Sequence, residues 1–335
     1  MFKNLMLYRL GADWSATVAQ IEDGLAAARF AECGLTQARA SGWVAPRGDE
    51  HGALIEAIAG QWLLQLMVEQ KVVPGSVVKR QVDALAAQVE KQTGRKPGKK
   101  QRSELKDQAL LDLLPMAFTK RASVKVWIAP AERLLVIDAG SASRADEVLT
   151  ALTQALPGLS AVLVNTAVAP AAAMADWLVR GEAPAGFSID RDCELKAADG
   201  EKPVVRYARH ALDIVEIREH ILAGKQPTRL ALTWQGRVSF MLTEGLLVKK
   251  VAFLDGVFES GSKKEDSFDA DAAIATGELA PMIGDLLDAL GGEQVFGDAP
   301  GAAPAAVAAA PPTAATAATK TVAATDLPPW EAAAA

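Results

Sequence analysis

The densest group of side chains able to do chemistry in this 335-residue chain lies between Glu90 and Gln108, EKQTGRKPGKKQRSELKDQ. Between Lys71 and Lys106 stand ten basic residues, Lys71, Lys79, Arg80, Lys91, Arg95, Lys96, Lys99, Lys100, Arg102 and Lys106, against three acids, Asp83, Glu90 and Glu104, a local net charge of +7. The whole chain carries −6, so the remainder carries −13. A run of this kind is either a solvated loop or the electrostatic footprint of a polyanionic partner. The acidic pI of about 5.3 does not exclude the second reading, because a phosphate backbone responds to the local field and not to the average.

Other chemistries fit poorly. In GRKPGKK three residues separate Gly94 from Gly98 where a phosphate-cradling P-loop needs four, no Ser or Thr follows the lysine to hold magnesium, and a helix would precede it. His51, His210 and His220 do not pair at a metal-ligand spacing. Asp138, at the end of the LLVID run, would suit a nuclease carboxylate, yet no second acid stands at a telling distance from it, and a turn or cap explains it more simply. Cys33 and Cys193 form no Cys-x-x-Cys pair and read as core thiols. The expectation is therefore a protein without catalytic constellation, metal or cofactor. No apolar run reaches the roughly 18 residues of a membrane span, and MFKNLMLYRL is too short and too charged for a secretory signal. The cytoplasm is the default.

The cations must be positioned by something. After Pro74-Gly75, Val78, Val82, Leu85 and Val89 recur at spacings of four and three, one stripe of a helix. A second helix, with Ser103 as N-cap and Leu105, Leu110, Leu113 and Leu114 apolar, ends at Pro115. Thr93 to Gln101, holding Gly94, Pro97 and Gly98, reads as the loop between them. The basic stretch is thus the tip of a helical hairpin, and each helix of about 20 Å or more would lift Arg95, Lys96, Lys99 and Lys100 away from the body.

The body mixes strands and helices without a strict βαβ rhythm, an α+β pattern. Strands are expected at Leu5–Leu10, Trp62–Val68, Val124–Ile128, Arg133–Asp138, Ala161–Val164, Arg229–Trp234, Val238–Leu242 and Leu247–Phe253. The last three, parted by Gln235-Gly236 and Glu244-Gly245, fit an antiparallel meander. Helices are expected at Ala16–Ala28, Ser143–Ala155, Ala171–Val179, Leu212–Ala223 and Ala270–Leu290. The division this implies is an α+β body over 1–75 and 117–180, the hairpin arm over 76–116, a second α+β domain over 181–293, and an Ala/Pro/Thr-rich disordered tail over 294–335. The tail ends in DLPPWEAAAA, whose Asp326, Leu327 and Trp330 would form a hook for a partner protein.

Several separated blocks occur in order: FKNLMLYRL, GWVAP at Gly42–Pro46, LLPMAF at Leu113–Phe118, VWI at Val126–Ile128, LALTWQGRVSF at Leu230–Phe240, FDADAAIATGEL at Phe268–Leu279 and LGGE at Leu290–Glu293. Together they resemble the RdgC family of recombination-associated proteins from Phe2 to Glu293. The resemblance implies horseshoe-shaped protomers closing into a homodimeric ring around duplex DNA, without sequence readout, in the nucleoid. It also implies that such rings limit access of the recombinase RecA. It assigns Phe118 to a gate contact between protomers, and Arg209 and His210 to the protomer contacts, a histidine standing at 210 where the pattern would carry an amide. The cations expected on DNA are Lys79, Arg80, Arg95, Lys96, Lys99, Lys100, Arg102 and Arg209. The alternative is a regulator that contacts the recombination machinery directly and touches DNA only incidentally.

Overall fold

Long apolar runs with no polar alternation are buried on two faces, and β1 (Asn4–Leu10) is such a run. In the computed structural model, which describes residues 1–197, 203–212, 214–258 and 267–294, this strand is the joint of a twelve-stranded sheet. Along the chain follow α1 (Val18–Ala26), β2 (Arg39–Val44), β3 (Ile55–Ile58), β4 (Gln61–Val72), α2 (Gly75–Thr93), α3 (Lys99–Leu113), a 3-10 turn (Leu114–Met116), β5 (Phe118–Ala129), β6 (Leu134–Ile137) and α4 (Ala142–Ala155). Then come β7 (Ala161–Leu163), α5 (Pro170–Arg180), β8 (Phe187–Ala197), β9 (Val204–Tyr207), α6 (Val215–Leu222), β10 (Lys225–Trp234), β11 (Val238–Thr243), β12 (Val248–Phe253) and α7 (Ser267–Ala289). The strand order is β2-β4-β5-β6-β1-β12-β11-β10-β8-β9, with β3 on β4 and β7 on β1. Every strand pairing is antiparallel. The fold is α+β.

The two-residue period of a strand sends alternate side chains of β1 into different cores. Leu5 and Leu7 join one cluster with Trp127, Val136, Met174, Trp177, Leu232, Phe240, Met282 and Leu286. Met6, Tyr8 and Leu10 join the other with Ile21, Leu25, Trp43, Val126, Val148 and Leu152. One edge of β1 pairs with β6 over Met6–Arg9. It also pairs with β12 at Asn4–Leu5 and with β7 at Tyr8–Leu10. Asp138, just past β6, accepts the backbone N–H of Asn4 at 2.8 Å and that of Lys3 at 3.3 Å, so its carboxylate ties down the start of β1.

The expected strands are all present, with β4 and β5 longer than expected at their hairpin ends, and the expected helices are present within a few residues. Four strands lie where none was expected: β2, β3, β8 and β9. β8 places Arg191 in an otherwise apolar alternation of Phe187, Ile189, Cys193 and Leu195, and a bulge there explains the interruption, since Leu230 pairs with Cys193 but Leu232 with Ile189. The loop between the arm helices is shorter than Thr93–Gln101. Gly94 closes α2 in the left-handed region at φ 72°, and Gly98, extended at φ −71° and ψ 175°, starts α3, so Ser103 lies inside the helix instead of capping it. Cys33 is no core thiol: it is half-buried in the loop before β2, while Cys193 is buried, its thiol pushed by that burial up to about 12. The tail, with Asp326, Leu327 and Trp330, lies outside the described residues.

Because β1 serves both cores, weakening it should weaken both together. Leu7→Ala should cost about 2–5 kcal/mol and lower a single calorimetric transition; two separated transitions would show that the cores are independent.

Candidate nucleic-acid interface

The arm is thin, and of its two helices only α2 is clearly amphipathic. Val78 and Ala86 of α2 and Ala109 of α3 are buried, with Val82, Leu85, Val89, Leu105, Leu110 and Leu113 half-buried between the two helices, so the expected stripe exists. Each helix packs chiefly against the other. At 19 and 15 residues, they run to about 28 and 22 Å. Nine basic and five acidic residues lie between Gly75 and Leu113.

Lys79, Arg80, Arg95, Lys96, Lys99 and Lys100 are all exposed, and none forms an ion pair among the described residues. Lys99 and Lys100 occupy the first turn of α3, which holds no acid. Cations beside the positive end of a helix dipole are locally unfavourable, and a bound anion would relieve that. Arg102 differs: it pairs across the hairpin with Asp83 at 3.0 Å, both side chains about half exposed, so part of its charge is compensated. Lys71, counted in the basic run, is withdrawn altogether. It is buried, and its Nζ donates to the carbonyls of Gly34 at 2.7 Å and Leu35 at 2.6 Å.

At the base of the arm, Lys71 belongs to a clamp. The buried Glu69 carboxylate accepts the Cys33 N–H at 2.6 Å and the Arg121 Nε–H at 2.8 Å across the β4–β5 ladder. Those two donors hold Glu69 below the usual carboxylate range. Arg121 also pairs with Glu32 and lies 5.5 Å from the Phe30 ring centroid.

Phe118, the first residue of β5, is 88% exposed, opposite half-exposed Val72 and near the end of a turn whose Met116 is 76% exposed. It therefore contributes nothing to the chain's own core, the plain alternative for an apolar residue after Pro115. Contiguous exposed apolar side chains of this size commonly mark contact surfaces.

Arg209 and His210 lie far along the chain from the arm, in the turn after β9. Arg209 sits at φ 54°, its N–H held by Asp192 Oδ1 at 2.7 Å. The exposed His210 ring has Nδ1 2.8 Å from the Ala211 carbonyl and its centroid 6.1 Å from that of Tyr207. The fold thus gathers seven of the eight expected DNA cations on the arm and leaves Arg209 on the C-terminal sheet.

Sequence reasoning missed a row of carboxylates, Asp190, Asp192 and Glu194, at alternate positions of β8. Its signal was the spacing of two along a strand. Each is engaged: Asp190 by the Thr233 hydroxyl at 2.8 Å, Asp192 by the Arg209 N–H, and Glu194 by the Thr228 hydroxyl at 3.0 Å and Arg206 Nε at 2.6 Å. Among the described residues no three His, Cys, Asp or Glu side chains converge as metal ligands.

A family model described as "Putative exonuclease, RdgC" matches residues 1–293. This chain belongs to the RdgC family. It is 46% identical over 301 residues to the recombination-associated protein RdgC of Dechloromonas aromatica, an overlap of 88% of this chain and 98% of that relative. It is 45% identical over 297 residues to the protein of that name from Cupriavidus pinatubonensis and 42% over 297 to that from Bordetella pertussis, covering 88% of this chain and 99% of each relative. The family match ends at Glu293, so the Ala/Pro/Thr-rich tail lies outside it. No helix among the described residues is long and apolar enough to cross a membrane.

The clamp predicts a pH signature. A carboxyl whose folded value is depressed contributes stability above its unfolded value, and that contribution is lost as pH falls through the folded one. Glu69→Gln should therefore lower Tm at pH 7, with the gap to the parent protein closing as pH drops below about 4. A gap constant from pH 7 to pH 3 would mean that Glu69 ionisation is irrelevant.

Proposed function

We propose that this chain binds duplex DNA without sequence preference as a ring-shaped homodimer of horseshoe-like protomers, acts in the nucleoid of the cytoplasm, and modulates recombination by limiting RecA access, with no catalytic step of its own. The observation that supports this reading is the set of exposed cations on the arm that form no ion pair among the described residues, culminating in Lys99 and Lys100 at the α3 N-terminus. A ring that only surrounds DNA needs phosphate contacts and no base-edge contacts. Such contacts give affinity that falls steeply with salt. The exposed Phe118 supports the gate contact between protomers, and the family resemblance puts Arg209 and His210 at the protomer contacts as well. Asp326, Leu327 and Trp330 of the tail would offer a handle to a partner protein.

Lys99→Glu with Lys100→Glu should abolish most binding at low salt, leaving circular dichroism unchanged. The parent protein should show a log-log salt slope of several units, about 0.9 per phosphate contact. Salt-independent binding, or none, would favour the regulator that acts on the recombination machinery itself. Phe118→Ala should keep its Tm and its affinity for short linear duplex yet be retained less on closed circles, because its ring opens more readily; equal retention on circles would remove Phe118 from the gate.

A second reading, hydrolysis of DNA, has the family description and the β8 carboxylate row behind it. It predicts cleavage with magnesium that Asp190→Asn or Asp192→Asn abolishes. The engaged state of all three carboxylates favours the non-catalytic reading, whose expected result is intact DNA after prolonged incubation.

A further inference from the structure

Six non-glycine residues among those described have positive φ. Four serve turns between strands: Ala59 between β3 and β4, Arg133 between β5 and β6, Gln235 between β10 and β11, and Leu246 between β11 and β12. The other two are Arg209, at φ 54°, and Lys250, at φ 52°. Both carry cations, and both line the same depression of about 530 Å³. Non-glycine residues in this region are sparsely populated and cluster at functional sites.

The depression lies over β8, β10, β11 and β12 and is floored by Ala231, Ser239 and Met241, which belong to neither hydrophobic cluster, with Phe240 of the first cluster also reaching it. Two ladder irregularities meet there. In β12, Ser239 pairs with Ala252 but Met241 with Lys249, so the stretch with Lys250 holds the extra residue. In β8, the residues between Ile189 and Cys193 bulge opposite Ala231 and carry Arg191. Bulges re-aim side chains. A third feature, the turn at Arg209, is stitched to the β8 bulge by the Arg209 N–H on Asp192 Oδ1 at 2.7 Å and the His210 N–H on the Arg191 carbonyl at 3.0 Å. Three separate backbone departures thus each bring one exposed cation to one place: Arg191, Arg209 and Lys250.

Two acids share the rim. Asp192 is engaged by the Arg209 backbone and Asp190 by the Thr233 hydroxyl. None of the three cations forms an ion pair among the described residues, in contrast with Arg206 and Arg229, which meet Glu194 on the same sheet. Guanidinium forks and an ammonium around a shallow, open floor suit a tetrahedral oxyanion bridged from several sides.

We infer that Arg191, Arg209 and Lys250 form a phosphate-recognition site on the open face of the C-terminal sheet, a second contact for the sugar-phosphate backbone distinct from the arm. This rests on the DNA-binding reading for its ligand, while the geometry requires only a phosphate group. A phosphodiester of duplex DNA and a free phosphate share that chemistry, so the test separates them.

Lys250→Gly removes the ammonium at a position whose conformation glycine prefers, so Tm should hold or rise. Arg191→Gln removes a guanidinium without a side-chain partner among the described residues. Neither touches Arg209, which the family resemblance places both among the DNA cations and at a protomer contact, and mass measurement should show the oligomeric state unchanged. On closed circular duplex each variant should lose several-fold in affinity at low salt and about one unit of salt slope. The double variant should lose about two, and Lys250→Arg should restore the parent value. If the double variant matches the parent protein while Lys99→Glu with Lys100→Glu loses binding, the DNA reading stands and the second contact is overturned. If the parent protein binds no duplex, inorganic phosphate decides. A Tm rise over chloride of equal ionic strength, absent in the double variant, establishes a site for free phosphate; no rise overturns the inference.

Discussion

β1 is the constraint on which the rest depends. Its apolar residues on alternate sides are shared between two cores, and it pairs with β6, β7 and β12. A strand so enclosed cannot shift register by one residue without exchanging both of its faces. The Asp138 carboxylate on the Lys3 and Asn4 amides secures its first residues. Arg9 near its other end pairs with Glu293 at the end of the family-matched region, so the start and finish of that region are bound together.

With the body closed around that strand, charge divides in a way composition alone does not show. Many body arginines are matched to carboxylates: Arg47 with Glu56 and Asp269, Arg121 with Glu32 and Glu69, Arg206 and Arg229 with Glu194, Arg237 with Glu278. Among the described residues the arm, which packs chiefly on itself, carries eight cations without such partners, and Arg191, Arg209 and Lys250 lack them on the C-terminal sheet, while others such as Lys120 and Arg144 lie elsewhere on the body. Partnered charges are part of the fold's own electrostatics. Unpartnered ones leave a field directed outward, which is the property a polyanion can use.

The arm's own stability is modest by the same reasoning. Three buried side chains in 34 helical residues give little apolar burial, and a hairpin with so few buried contacts belongs to the part of a protein that opens most easily. Its base is where order is concentrated, through buried Lys71 and Glu69 holding the loop at Cys33 to Leu35. A firmly held base carrying a lightly packed tip, with Phe118 exposed beside it, suits an element that must meet a second surface.

The α+β class, the paired arm helices and the C-terminal meander were legible in the sequence, because periodicities of 3.6 and 2 and the turn dipeptides are local properties of the chain. The arm's position for Arg95, Lys96, Lys99 and Lys100 followed from the same local rules, although Gly98 displaced Ser103 as the start of α3. What tertiary structure alone decided was which charges remain free. Lys71 is hidden by carbonyls from a distant loop, Arg102 is partly met by Asp83, and Phe118 is turned outward. Arg191, Arg209 and Lys250 come from three separated stretches through bulges and a left-handed turn. Partnership and bulge register are set by residues distant in the chain, so no local pattern of types and spacings could encode them.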